Sequence, residues 1–243
     1  MGYIFADGYI YKLKPRTNGQ IDYNFELCSK GDDINHMQKF ANLMEYEGTL
    51  KVTPADKNGH TRCRVCFSSK HLWETLNSYG CTPQKSLSLQ FPDEGIFKSK
   101  DLIRHFIRGY FDGDGCISYG NKEHNLLSIQ LLGTKLFLSK ILDYTNVNAN
   151  LHHNHNNIHE TTMFFSISAK KAFNFIKLLY NNSKIYLQRK FDRYCYFCRL
   201  YEESDRLLET KIMEGCDANH EVNSEIKESE SLQRVGIEPE KPE

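Results

Sequence analysis

The stretch GYIFADGYI at residues 2–10 returns 107 residues later as GYFDGDGCI at residues 109–117, and this repeat decides the architecture. Gly2, Tyr3, Asp7, Gly8 and Ile10 recur as Gly109, Tyr110, Asp114, Gly115 and Ile117, with Ala6 matched by the equally small Gly113. The segments that follow match in type. After the first copy, YIYKLK and IDYNFELC flank the turn signal TNGQ, and Ile21, Tyr23, Phe25 and Leu27 alternate with Asp22, Asn24 and Glu26. That period of two predicts a half-buried β-hairpin. Asp32 or Asp33 is placed to cap a helix bearing Ile34, Met37, Phe40, Ala41 and Met44 on one face, followed by strands around TLKVTP and TRCRVCFS and a closing helix near HLWETLNSYG.

The second copy repeats the order, with a hairpin in CISYGNKEHNLLSIQLL, a helix from Thr134 through FLSKILDYT, strands around ANLHHNHN and TTMFFSIS, and a helix near KKAFNFIKLLYNN. Each unit reads α-β-β-α-β-β-α, so the chain is an α+β protein of two pseudo-symmetric units. The boundaries are 1–82 for the first unit, 83–100 for the linker, 101–205 for the second unit and 206–243 for an acidic tail expected to be disordered. Ser99 is placed to cap the helix DLIRHFIRGYFDGD.

Composition fits this picture. The 243 residues are 40% apolar and 26% charged, enough apolar content for a folded body. The 31 basic and 31 acidic residues balance, but residues 211–243 hold four basic against nine acidic ones, leaving 27 against 22 and a net +5 over 1–210. A mildly basic body admits a polyanionic partner. No run approaches the roughly 18–20 apolar residues of a membrane span, and the start lacks a secretion or myristoylation signal. No membrane partner is expected, and the location expected is the cytoplasm, or an organelle matrix for an organellar gene. The eight cysteines are then reduced thiols.

The repeated motif has a specific geometry. Gly109 and Gly113 lie four apart on one helical face, as do Gly2 and Ala6, so two such helices are able to pack backbone to backbone. Their C-terminal ends would meet at Asp7 and Asp114, where two carboxylates repel each other and face the negative poles of both helix dipoles. A bound cation relieves both. Paired carboxylates holding a divalent metal suit phosphodiester hydrolysis, in which the metal activates water and stabilises the attacking and leaving oxygens.

On these residues the chain resembles the LAGLIDADG homing endonucleases in their double-motif, monomeric form. IRGYFDGDG (107–115) is similar to a full copy of the motif and MGYIFADG (1–8) to one shortened at its N-terminus, with six residues before Asp7 against about twelve in the second helix. The resemblance covers residues 1 to about 200. It implies two four-stranded antiparallel sheets forming a saddle over DNA, motif helices at the interface, and magnesium held by Asp7 and Asp114 with the adjoining Gly8 and Gly115. It implies site-specific cleavage of both strands of a long DNA site, in the service of an intron or intein. The family tends to carry a lysine after the last helix of each unit; TPQKSL and YLQRKF put Lys85 and Lys190 there, 78 and 76 residues after their aspartates. Both are candidate catalytic residues, with Arg189 as a neighbour able to share that role.

DNA contacts are expected from the solvent face of the strands. In the first unit alternation puts Lys12, Lys14 and Arg16 opposite Tyr11 and Leu13, with Asn24 across from them, while Arg62 and Arg64 share another strand face and Lys30 ends the hairpin. In the second unit Asn121, Lys122, Ser128, Gln130, Ser166 and Ser168 are the counterparts, with Arg189 nearby. Intron RNA is the second candidate partner, and an RNA-splicing maturase or a DNA-binding protein without cleavage are the alternative functions on the same scaffold. A calcium loop at DGDGCISYGNKE is excluded, since Cys116 and Ile117 stand where an oxygen ligand and a glycine are needed. Cys63 and Cys66 fall in a strand and point to opposite faces, and the run LHHNHNNIHE, with His152, His153, His155 and His159, reads as a polar hairpin tip.

Overall fold

The computed structural model describes residues 1–121, 126–154 and 162–203. The chain divides into a body, Met1–Cys195, and a second unit, Tyr196–Glu243, of which 196–203 are described and helical. Lys122, His155, His159 and the acidic tail lie outside the described residues, as does the side chain of Asn121.

Within the body the αββαββα order appears twice. The first half comprises α1 (Gly2–Asp7), β1 (Gly8–Lys12), β2 (Tyr23–Lys30), α2 (Ile34–Leu43), β3 (Lys51–Thr53), β4 (Arg62–Ser68) and α3 (Lys70–Ser78). The second comprises α4 (Lys100–Asp114), β5 (Gly115–Asn121), β6 (Leu126–Thr134), α5 (Lys135–Thr145), β7 (His152–His153), β8 (Thr162–Ser168) and α6 (Ala169–Tyr180), with 188–195 helical at its end. Each half holds a four-stranded antiparallel sheet, in the orders β1-β2-β4-β3 and β5-β6-β8-β7. Gly8 faces Leu27 in one register and Gly115 faces Leu131 in the other, so the repeat extends to residue pairing. No described helix is long and apolar enough to cross a membrane.

Period-two alternation sorts the two faces of each sheet. Ile10, Phe25, Leu27, Cys63 and Val65 are buried on one face of the first sheet, as are Ile117, Leu127, Ile129, Leu131, Phe165 and Ile167 in the second. Helices cover these faces: α2 and α3 pack on the first sheet, α5 and α6 on the second. The opposite faces stay open. The linker is well packed, with Leu89 and Lys85 buried and the Leu89 carbonyl accepting a hydrogen bond from Thr134 Oγ1. Ser99 sits at the N-cap of α4 without making a side-chain cap bond, a departure from the expected capping, whereas Ser69 accepts from the Leu72 amide at 3.2 Å to start α3.

Candidate functional site

The two motif helices meet backbone to backbone, as the spacing of their small residues requires. A methyl group on Gly2 would lie 1.8 Å from the Phe106 carbonyl oxygen, one on Gly109 would lie 2.8 Å from the Tyr3 amide nitrogen, and one on Gly113 would lie 2.3 Å from Ala6 Cβ. Only hydrogen fits at these positions. Phe5 and Phe106 close the pair edge to face, centroids 5.1 Å apart. The helices differ in length, 6 residues against 15.

Their C-terminal ends carry Asp7, exposed, and Asp114, half-buried. Desolvation and the negative charge of Asp114 push the Asp7 carboxyl up from 3.8 to about 6, against the opposing pull of Lys190 and Lys85. Burial also raises Asp114, opposed by a hydrogen bond from Tyr110 and by the same two lysines. Two acids that resist ionisation beside each other are a site short of positive charge.

Both lysines stand at these helix ends. Lys85 is 8% exposed and Lys190 3%. Lys85 Nζ donates to the Gly8 carbonyl, and Lys190 Nζ donates to the carbonyls of Phe111 and Asp112, each at 2.6 Å. The bonds span 77 and 79 residues, so the equal spacing of aspartate and lysine in sequence corresponds to equivalent placement in the fold. Each ammonium satisfies carbonyls left open at a helix C-terminus. Desolvation lowers both lysines, Lys190 to about 8. Because the Gly8 carbonyl already accepts from Lys85, it is not a vacant ligand; the expectation that Gly8 binds metal meets this competing bond. Asp112, 2% exposed and pushed by burial to about 6, accepts a hydrogen bond from Tyr180 Oη at 2.6 Å and belongs to the core.

The open sheet faces correct part of the expected DNA-contact set. Lys12 shares its face with Ile10, on the helix-covered side, and its ammonium lies 4.3 Å from the Trp73 ring and 5.0 Å from that of Tyr23. A cation held on two rings is committed to packing. The open face of β1 instead bears Tyr9 and Tyr11, stacked with centroids 5.1 Å apart. Lys14 and Arg16 lie beyond the end of β1, exposed, with Arg16 paired to Asp22 at 2.6 Å. Asn24 faces the open side but is 7% exposed and accepts from Ser68 Oγ, so its carbonyl is spoken for. Lys30, Arg62 and Arg64 do share the open face with Lys51, since Lys30 pairs with Arg62 and Lys51 with Arg64 across the strands; Arg64 lies 3.6 Å from Glu26. In the second sheet Ser128, Gln130, Ser166 and Ser168 line the open face together with Cys116 and Ser118. Among its described residues that face holds no lysine, arginine or carboxylate.

A polar cleft of about 680 Å³ opens beside Asp7, lined among others by Gly113, Lys30, Arg62 and Arg189. Arg189 is tied to Asp33, with Nε 3.2 Å from Oδ1. Asp33 was legible only as a helix cap. It occupies the N-cap of α2 yet makes no cap bond, and its carboxylate accepts from Ser29 Oγ at 3.1 Å, which accepts in turn from Tyr3 Oη at 2.9 Å.

Comparison with known proteins agrees with this architecture. Residues 101–186 match the family described as LAGLIDADG-like domain. No curated protein matches the chain. Among solved structures, the I-LtrWI LAGLIDADG homing endonuclease bound to target DNA superposes with a TM-score of 0.55 at 13% identity, over 84% of this chain and 89% of that one. The LAGLIDADG homing endonuclease I-GzeII in complex with its DNA target gives 0.53 at 13% identity, over 84% and 90%. I-SmaMI bound to uncleaved DNA in the presence of calcium ions gives 0.51 at 11% identity, over 84% and 90%. The chain thus carries a LAGLIDADG-like domain at residues 101–186 within the two-unit fold of the LAGLIDADG homing endonucleases.

Proposed function

We propose that the chain is a site-specific double-strand DNA endonuclease that acts as a monomer with a divalent metal, magnesium in the cell, and serves the mobility of an intron or intein. One observation carries the reading. Asp7 and Asp114 end a pair of helices packed so closely that no side chain separates them, and each helix end is matched by a buried lysine. The neighbours in fold support it, since I-LtrWI and I-GzeII are homing endonucleases solved with target DNA.

The donor set fits a hard cation. Among the described residues no group of three or more His, Cys, Asp or Glu side chains surrounds an ion site, which leaves two carboxylates, water and the DNA phosphates. Magnesium favours that combination, one or two carboxylates completed by substrate phosphate oxygens. The raised carboxyl pKa values have the same sense, because a cation supplies the charge that two adjacent aspartates lack. Asp7 and Asp114 would hold the ion; bound there, it would activate water and stabilise charge on the scissile phosphates.

The remaining work falls to the chain. Lys85 and Lys190, fixed on backbone carbonyls, keep positive charge under the aspartates and favour their ionised forms. Lys30, Lys51, Arg62 and Arg64 on the first open face are suited to phosphates and guanine edges, and Ser128, Gln130, Ser166 and Ser168 on the second to neutral hydrogen-bond readout. Exposed Tyr9 and Tyr11 add apolar contact area at the first groove.

The test is selection of bound duplexes from a randomised library with Ca²⁺, then incubation of the recovered sequences with Mg²⁺. Double-strand breaks at one sequence, lost in Asp114→Asn while binding persists, support the reading. Selective binding without breaks favours the non-cleaving DNA-binding alternative, and preference for structured intron RNA over every duplex favours the maturase.

A further inference from the structure

The Asp7 cleft contains a device that the other half of the pseudo-symmetric body lacks. Arg189 reaches the cleft with its side chain 47% exposed, while the Asp33 side chain that grips it is 6% exposed. The grip uses Nε; the two terminal nitrogens donate to none of the described residues. Asp33 forgoes the capping bond of α2 to make this contact, and a relay from Tyr3 Oη through Ser29 Oγ fixes its carboxylate from behind. Tyr3 belongs to α1, the helix that ends in Asp7, so the arginine is registered to the same element as the carboxylate.

The equivalent positions in the other half differ in chemistry. The residue preceding Lys85, where Arg189 precedes Lys190, is the neutral Gln84. The N-cap of α5, where α2 has Asp33, is Thr134, whose hydroxyl accepts from the Phe137 amide at 3.3 Å and donates to the Leu89 carbonyl. That half has neither the guanidinium nor the carboxylate to orient it.

We infer that Arg189 binds a backbone phosphate of the DNA in the Asp7 cleft, that Asp33 is the positioning residue that aims it, and that the two strand breaks are therefore made with unequal help. The inference rests on the endonuclease reading and names a new asymmetry within it. A guanidinium held through Nε presents its other two nitrogens as a fork, the geometry suited to phosphate oxygens. A half-exposed arginine without the carboxylate would sample many rotamers and lose that aim.

The test uses the full chain and a cognate duplex labelled on each strand, with the rate of each break followed separately. Arg189→Ala and Asp33→Asn should each slow one strand about tenfold more than the other, so that nicked duplex accumulates. The double variant should show no larger strand bias than Arg189→Ala alone, because Asp33 acts through the arginine. A loss of fold in Asp33→Asn would slow both strands together, and Arg189→Ala, at a half-exposed position, then decides alone. Equal slowing of both strands by Arg189→Ala, or an added strand bias from Asp33→Asn in the Arg189→Ala background, overturns the inference. Failure of the unmodified chain to cut either strand overturns the endonuclease reading and the inference with it.

Discussion

Replacing Gly113 by alanine tests the helix pair that the whole site depends on. At an exposed helical position this change would stabilise the chain by roughly 1 kcal/mol through helix propensity. Here the new methyl carbon would lie 2.3 Å from Ala6 Cβ and 2.9 Å from Asp7 Oδ2, whereas carbon atoms pack at about 3.5–4.0 Å. The helices must separate by more than an ångström or tilt, and overpacking of this kind costs on the order of 1–3 kcal/mol. With the contact this short the upper end applies, so the net loss is about 2 kcal/mol after the propensity gain. For a body of this size that lowers Tm by roughly 4–8 °C. Thermal unfolding followed by circular dichroism measures it directly. The double variant Ala6→Gly with Gly113→Ala moves the methyl across the interface and should return to within about 1 kcal/mol of the unmodified chain, because the two propensity changes cancel. A rise in Tm for Gly113→Ala alone would mean that α1 and α4 are not in contact at their C-terminal turns, and the reasoning would fail.

Other expectations are as direct. Because Asp7 titrates near 6 in the folded chain and near 3.8 when unfolded, the folded state binds the extra proton between those values, so the metal-free chain should be more stable at pH 5 than at pH 7. Asp7→Asn should flatten that slope in denaturation curves, and saturating Ca²⁺ should reverse it. Lys190→Met removes a charge that favours ionised Asp7 and should raise the carboxyl pKa further, as read by carbon NMR of the labelled side chain; an unchanged value would separate the lysine from the site. On the sheet faces, Arg62→Gln should reduce the slope of log affinity for DNA against log salt by about 1, while Lys12→Gln leaves the slope unchanged and lowers stability through the loss of its ring contacts. Equal effects on the salt slope would put Lys12 on the DNA side after all.

The repeat made most of the fold legible. One nine-residue match and its flanking alternation predicted two αββαββα units, and the small residues at positions 2, 6, 109 and 113 predicted backbone contact between helices, because only close approach explains small residues at one-turn spacing. The lysines followed from equal spacing to the aspartates. What failed had physical causes. Alternation tells that Lys12 and Tyr11 face opposite ways, but which of those faces the helices cover depends on Trp73, 61 residues away in α3. An asparagine in a strand reads as polar and open until Ser68 on the neighbouring strand is seen to bond it. Asp33 carries the local signature of a helix cap, and its real partner, Arg189, is 156 residues distant; local propensity holds no information about a pair made by tertiary packing.

The measurement that bears most directly on the central claim is cleavage of a plasmid carrying the joined sequences that flank this gene, in Mg²⁺, by the unmodified chain and by Asp7→Asn and Asp114→Asn. Both carboxylates belong to one composite site in this account, so a linear product from the unmodified chain and its loss in each variant, with DNA binding kept, is the predicted result. Undiminished double-strand cutting by either variant would contradict it.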